Sequence, residues 1–392
     1  MDSIVIIDGS RTPIGSFGGK LASLTAPELG AIAITGLLKR AGVAPGQVGE
    51  VIMGNVLSAG MGQAPARQAA LKSGLPDATV ATTVNKVCAS GMKAVMMAAN
   101  QIRTGESEVV VAGGMESMSH VPFYLPQQRF GNKLGHVKAE DGILKDGLWD
   151  VYKDYHMGNA AELCALECGF GRDEQDDYAI ESYRRSLLAR DSGWFDSEIV
   201  PVKIRDRKGV ATEVTTDEEL DRVDFDKMRG LRPVFQKDGT VTAANASSIN
   251  DGAAALLLMT EAKAATLGLT PVARILGQAS AEKAPEWFTT APADAMPLAI
   301  RRAGLDIGEI DLFEINEAFA VVALANNRIL ELDPAKVNAM GGAVSIGHPI
   351  GCSGARILVT LMNALHRTGG RYGCAGICNG GGGASAMVIE RI

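Results

Sequence analysis

The chain repeats itself. "LLKRAGVAPGQV" (37–48) is echoed by "AIRRAGLDIGEI" (299–310), which sets Arg40 against Arg302 at an offset of 262. "EVIMGN", ending at Asn55, is echoed by "DLFEIN", ending at Asn316, at an offset of 261. "CASGMK" is echoed by "CSGAR", with Ser90 against Ser353 at 263, and "RTG" recurs at Arg103 and Arg367 at 264. Four echoes in the same order at nearly one offset describe a duplicated fold, and that restricts the chain more tightly than its composition does.

Each half reads helix, strand, loop, strand, helix, strand. In the first, "TVATTVNKV" and "EVVVAGG" are β-branched runs of strand length on either side of a helix predicted over 91–103. Such alternation predicts an α/β layered architecture. From about residue 120 to 244 the texture changes to more charge, more aromatics and longer loops, and neither half is echoed there. Three parts are therefore expected: 1–119 as an N-terminal half completed by 245–270, 120–244 as an inserted loop domain of the kind that carries ligand contacts, and 271–392 as a C-terminal half.

With 392 residues, 46% of them hydrophobic and 21% charged, the chain has ample core for this arrangement. A net charge of −7 argues against a broad nucleic-acid or anionic-membrane surface, while leaving room for a local basic patch for one anionic ligand. No run approaches the ~18 apolar residues of a membrane span. The opening "MDSIVIIDGSRTPIG" reads as a first strand rather than a secretory leader, and six dispersed cysteines suit a reducing compartment. The expectation is a soluble, cytoplasmic protein with free thiols.

Four motifs could carry chemistry. In "VNKVCASGMKA" a lone Cys88 stands at the start of the predicted helix, where the positive end of the helix dipole would lower its pKa and make it a nucleophile; read blandly, it is a small core residue. In "GGAVSIGHPIGCSGAR" (341–356), Pro349 stiffens the backbone that presents His348, which suits a general base or an oxyanion donor as well as a structural histidine. In "CNGGGGASAM", Cys378 precedes four glycines whose N–H groups could approach an oxyanion, a thiol beside them could exchange a proton, and the alternative is a plain turn into the last strand. In "EINEAFAVVALANN", Asn316 and Glu317 close a strand and open a helix; Asn316 is most simply an N-cap, or else a fixed amide that holds a water or a carbonyl. Cys164 and Cys168, like Cys374 and Cys378, are spaced i, i+4 but lack a histidine at ligand spacing, so no metal site is expected.

Taken together and in this order, "NKVCASGMKA", "NEAFA", "GGAVSIGHPIGCSGAR" and "CNGGGGASAM" resemble the thiolase family along essentially the whole chain, and within it the short-chain acetyl-CoA acetyltransferases. The resemblance implies a five-layered α-β-α-β-α core of two similar halves with an inserted loop domain, usually assembled as a homotetramer. It implies reversible Claisen condensation of two acetyl-CoA to acetoacetyl-CoA and CoA, with coenzyme A as substrate and product and no metal or redox cofactor. Carried over by position, Cys88 is the acylated nucleophile and Cys378 the acid/base thiol. His348 activates Cys88 and binds the thioester oxygen, Asn316 holds a water in that oxyanion hole, and the N–H groups of Cys88 and Gly380 form a second hole.

Leu148, His156, Met157, Phe235, Ala243, Ser247, Ala318 and Phe319 match positions that line the family's pantetheine tunnel, and Phe288 falls at a position that shapes the acyl pocket. Arg222, with Lys227, Arg229 and Arg232, is expected near the adenosine end, the alternative being a solvated charged face. Potassium-dependent relatives carry Pro where this chain has Thr289 and Tyr where it has Leu220, so a bound potassium ion is not expected. Two other functions stay open: a degradative 3-ketoacyl-CoA thiolase acting on longer chains, and a nonenzymatic acyl-CoA or lipid carrier indifferent to the loss of Cys88.

Overall fold

The structure is a computed structural model that describes residues 3–205 and 209–392; Met1 and Asp2 of the opening stretch lie outside the described residues. The first half comprises β1 (Ile4–Arg11), α1 (Ala26–Ala41), β2 (Glu50–Gly54), α2 (Pro65–Lys72), β3 (Val80–Val84), α3 (Ser90–Thr104) and β4 (Val109–Ser117). An intervening segment contributes α4 (Met157–Glu167) and α5 (Arg172–Asp191), after which β5 (Asn250–Thr260) returns to pair with β1 and β4. The second half comprises β6 (Ala273–Glu282), α6 (Pro292–Arg302), β7 (Leu312–Ile315), α7 (Ala320–Ile329), α8 (Ile350–Thr368), β8 (Tyr372–Asn379) and β9 (Gly383–Arg391).

The duplication is visible in strand order. The first half-sheet runs β1-β5-β4-β2-β3 and the second β6-β9-β8-β7, where a single parallel bridge from Phe313 to Val337 stands in the place of β3. Antiparallel pairing of Val5 with Arg274 and Ile6 with Ala273 joins the halves into one continuous sheet. Side chains alternate across it. Ile52, Val110, Leu256, Ile377 and Met387 pack inward with α3 and α8 in one cluster, whereas Val51, Val111 and Leu257 face α1 and α2, and Phe313, Cys374 and Val388 face α6. Five layers result, with α3 and α8 in the middle; strands covered on both faces explain the near-continuous apolar runs.

The echoes mark the joints of this design. The glycines after "KRA", "RRA" and the two "RT" pairs, Gly42, Gly304, Gly105 and Gly369, all take left-handed φ of 67–75° just past the ends of α1, α6, α3 and α8. Only glycine enters that region without a steric penalty, so each stops its helix. The serine–glycine pairs serve contact instead. A Cβ on Gly354 would lie 2.5 Å from the Met92 nitrogen, and one on Gly91 would lie 2.8 Å from the Ala355 nitrogen, so α3 and α8 meet backbone to backbone.

The intervening segment is tied down by charge. Arg11, wholly buried at the end of β1, binds Glu198 at 2.6 Å and Asp217 through two bonds of 2.7 and 2.9 Å. Both carboxylates hold its guanidinium charged against the desolvation that opposes it. Among the described residues no helix is long and apolar enough to cross a membrane.

Gly354→Ala should destabilise the protein by about 2 kcal/mol or more through the helix contact, whereas Gly369→Ala, with open space around it, should cost about 1 kcal/mol through φ alone. Urea unfolding of both variants checks this; equal losses would mean that the α3–α8 contact yields to a methyl group.

Candidate active site

Five residues connect β3 to α3, and their polar groups bend the chain sharply. Asn85 Oδ1 accepts the Val87 N–H at 2.9 Å, while Ser90 Oγ accepts the Lys86 N–H at 2.8 Å and donates to the Val87 carbonyl at 2.6 Å. Val87 is thereby held at φ 46°, a left-handed conformation that costs a β-branched residue roughly 1–3 kcal/mol. Cys88 follows, lining an apolar cavity, and its sulfur receives the N–H groups of Gly380 and of Cys88 itself.

Burial pushes the Cys88 thiol up to about 12, the two N–H groups pull it back, and the buried Glu116 carboxylate adds to the rise. The expected lowering by the helix dipole does not prevail. The helix starts at Ser90, two residues further on, and desolvation outweighs what its N-terminus contributes.

His348 stands in the equivalent place before α8. Gly347 turns the chain at φ 104°, Pro349 caps the helix, and Asn250 Oδ1 accepts the His348 N–H at 2.9 Å. Ser353 Oγ lies 2.6 Å from His348 Nδ1 and 3.0 Å from the Pro349 carbonyl, which can only accept. The hydroxyl proton therefore goes to the carbonyl, Nδ1–H donates to the hydroxyl, and Nε2 keeps its lone pair. Burial, reinforced by the positive charge of Arg356, lowers the imidazole to about 3. A neutral base results, with Nε2 3.5 Å from Asn316 Nδ2.

Asn316 is not an N-cap, because α7 starts at Ala320 behind Phe319. Its N–H donates to the Gly376 carbonyl at 3.0 Å, and its buried Oδ1 has no hydrogen-bond partner among the described residues. Cys378, the last residue but one of β8, lies behind the cavity wall, packed with Met157, Phe288 and Phe319. Burial raises its thiol well above the ordinary value, and the nearby Cys88 raises it further. The four glycines form the turn to β9, with Gly381 and Gly382 at φ 87° and 90°.

The cavity, about 370 Å³, opens from Cys88, His348 and Gly380 between walls supplied by the intervening segment and the second half. Leu148, His156, Met157 and Phe235 line one side, Ala243 and Ser247 another, and Phe288, Ala318 and Phe319 the third. His156 caps α4, its Nδ1 accepting the Gly158 N–H at 3.0 Å, and its ring stacks on Phe235 at 4.7 Å. Burial lowers its pKa, so the neutral ring offers Nε2–H as a donor.

Arg222 does not line the cavity, and among the described residues no Lys or Arg does. Lys227 pairs with Asp224 at 2.7 Å and Arg229 with Asp177, so half of the expected basic cluster is neutralised by its own neighbours on an exposed stretch. Leu220 is buried.

Residues 4–262 match the thiolase N-terminal domain and residues 269–391 the thiolase C-terminal domain. The chain is 57% identical to Acetyl-CoA acetyltransferase 2 of Arabidopsis thaliana, over 99% of this chain and 96% of the relative. It is 54% identical to Acetyl-CoA acetyltransferase ERG10, cytosolic, of Gibberella zeae, over 99% and 98%. The Acat5 thiolase of Ascaris suum, solved in complex with coenzyme A, superposes with a TM-score of 0.94 at 44% identity and full coverage of both chains. The chain belongs to the thiolase family.

Beyond the predicted residues, this thiolase site rests on four that were not singled out from the sequence. Asn250 and Ser353 orient His348, and Arg356 biases its charge. Glu116 accepts from Asn55 Nδ2 at 2.7 Å, from the N–H groups of Val56 and Leu57, and from Gly351 N–H at 2.9 Å, joining β4 to the loop after β2 and to the start of α8. Burial raises its carboxyl to about 7. The available signal was a glutamate ending the apolar run "VVVAGGME".

A folded-state pKa near 3 against about 6.5 in the unfolded chain means that the unfolded state takes up the extra proton between those values. His348 thus adds stability above pH 6.5 that is lost as pH falls toward 3. Acidification from pH 7 to 5 should cost the wild type about 2 kcal/mol more than His348→Asn. Urea midpoints at the two pH values test this, and equal losses would show a normally titrating histidine.

Proposed function

We propose that the protein catalyses the reversible condensation of two acetyl-CoA to acetoacetyl-CoA and CoA through an acetyl-Cys88 intermediate. The observation that carries this reading is a half-buried cysteine, with two N–H groups on its sulfur, opening into the same apolar cavity as a neutral histidine whose Nε2 keeps its lone pair. His348 takes the Cys88 proton as the sulfur attacks the thioester carbonyl and keeps it as imidazolium, and the C–S bond to CoA then breaks, with Cys378 giving its proton to the departing CoA thiolate and remaining as the thiolate. The imidazolium formed on the way presents Nε2–H to the thioester oxygen, so one residue serves as base and as oxyanion donor.

A second acetyl-CoA enters the emptied cavity. The Cys378 thiolate removes a proton from its α-carbon while Nε2–H of the protonated His348 and an Asn316-held water stabilise the enolate oxygen. The enolate carbon attacks the acetyl carbonyl, whose oxygen is held by the N–H groups of Cys88 and Gly380, and the bond to Cys88 breaks as the Cys88 sulfur takes back the proton from His348. No step calls for a metal or redox cofactor. The pantetheine arm is taken by the cavity lined by His156, Phe235 and Phe319, which offers it aromatic faces and one imidazole N–H.

We also infer a cytoplasmic homotetramer. The location is supported by a relative whose name carries the word cytosolic, and the assembly by the exposed side chains of Phe123, Phe130 and Leu134 on the intervening segment, for which a partner copy is the natural cover.

Acetyl-CoA alone should add one acetyl group at Cys88, read by peptide mass mapping. Cys88→Ala should abolish the label, and Cys378→Ala should keep it while losing exchange of α-protons with solvent. Thiolysis rates across 3-ketoacyl-CoA chain lengths separate the readings: activity concentrated on acetoacetyl-CoA supports the condensing enzyme, substantial activity on long chains the degradative thiolase, and binding without turnover the carrier.

A further inference from the structure

A second, smaller cavity of about 190 Å³ lies against the first, and the two share Gly147, Met157 and Gly380 as common walls. Consecutive residues face the two spaces: Cys88 lines the catalytic cavity and Val87 the side chamber. The chamber has room for about six waters' worth of volume, which is the size of a short alkyl tail. Its remaining lining comes from Gly381 and from the segment 146–152, including two aspartates.

Asp146 is spent on the Tyr124 hydroxyl at 2.5 Å. Asp150 is different. It is 4% exposed, its Oδ1 accepts the N–H groups of Tyr152 and Lys153 at 2.8 and 3.1 Å, and its Oδ2 has no hydrogen-bond partner among the described residues. The adjacent cation, Lys153, reaches Glu286 at 3.0 Å instead.

We propose that this chamber is where the tail of a longer acyl chain on Cys88 would have to go, past Met157, and that Asp150 is the specificity-determining residue that keeps it out. An alkyl tail there would replace the water of the chamber, the polar medium next to a buried and incompletely hydrogen-bonded carboxylate, with hydrocarbon, so each methylene gains less than it would in an apolar tunnel. The acetyl group stops short of the chamber and is unaffected. Chain length is thus limited by polarity as well as by volume. This inference rests on the acyl-enzyme reading of Cys88.

The test compares kcat/KM for thiolysis of acetoacetyl-CoA, 3-ketohexanoyl-CoA and 3-ketooctanoyl-CoA by the wild type, Asp150→Asn and Asp150→Ser. Both replacements keep an acceptor for the Tyr152 N–H while removing the charge. Acetoacetyl-CoA activity should stay within about threefold, and the six-carbon to four-carbon ratio should rise about tenfold, the factor expected for relieving one buried, unsatisfied charged group. An unchanged ratio in active variants overturns the inference, as does a wild type that already handles eight carbons as well as four. Loss of acetoacetyl-CoA activity in both variants overturns it too, by giving Asp150 a purely structural role. A wild type inactive on acetoacetyl-CoA defeats the underlying acyl-enzyme reading, a separate and recognisable failure.

Discussion

Two buried helices touch through glycine, and the proposed nucleophile and base stand at the end of that contact. Cys88 lies two residues before α3, and His348 two residues before α8. Gly91, the second residue of α3, and Gly354, one turn into α8, mark the point where the helix backbones meet. The relative position of nucleophile and base is therefore set by main-chain contact in the middle of the molecule and not by flexible side chains. The flanking elements reinforce it: Glu116 grips the start of α8 from β4, and Asn250 on β5 grips the His348 N–H. Both strands belong to the first half-sheet, so the base of the second half is positioned by the first.

Desolvation then decides the charge state of the resting site. Burial drives the thiol up and the imidazole down, so both Cys88 and His348 are neutral near pH 7. An ion pair would meet that environment at a higher cost. The strained Val87 and the two N–H groups on the Cys88 sulfur are in place before any substrate arrives, so the donors that must stabilise developing charge need no reorganisation. The structure stores polarity in fixed dipoles and keeps formal charge out of the cavity, with Arg356 close enough to bias His348 and far enough to stay outside the lining.

The duplicated architecture was legible because its joints need particular residues. Helix-ending glycines, a serine–glycine contact and strands covered on both faces leave the same marks in both halves, and those marks are what the echoes are. The residues proposed to be catalytic were picked out by their local motifs, and most of the residues that line the cavity by resemblance. Glu116, Asn250 and Arg356 were not, since each acts on a residue far away in sequence and no periodic pattern carries such a pairing. The N-cap alternative for Asn316 does not hold, and two of the four basic residues of the Arg222 cluster are paired with acidic neighbours. A strand-end asparagine before a helix looks like a cap whether or not the helix starts one turn later, and a cluster of basic residues looks available until its carboxylate neighbours are seen in space.

The two thiols show how one chemical group can fill two posts. Cys88 and Cys378 are both raised by burial, yet Cys88 has the Gly380 N–H in addition to its own, whereas Cys378 has only its own. The anion is easier to form on Cys88, which suits the group that attacks first. Burial keeps Cys378 protonated at rest and any charge on Cys88 would raise it further, so in the proposed mechanism Cys378 reaches its thiolate form by giving its proton to the departing CoA and not by ionising freely.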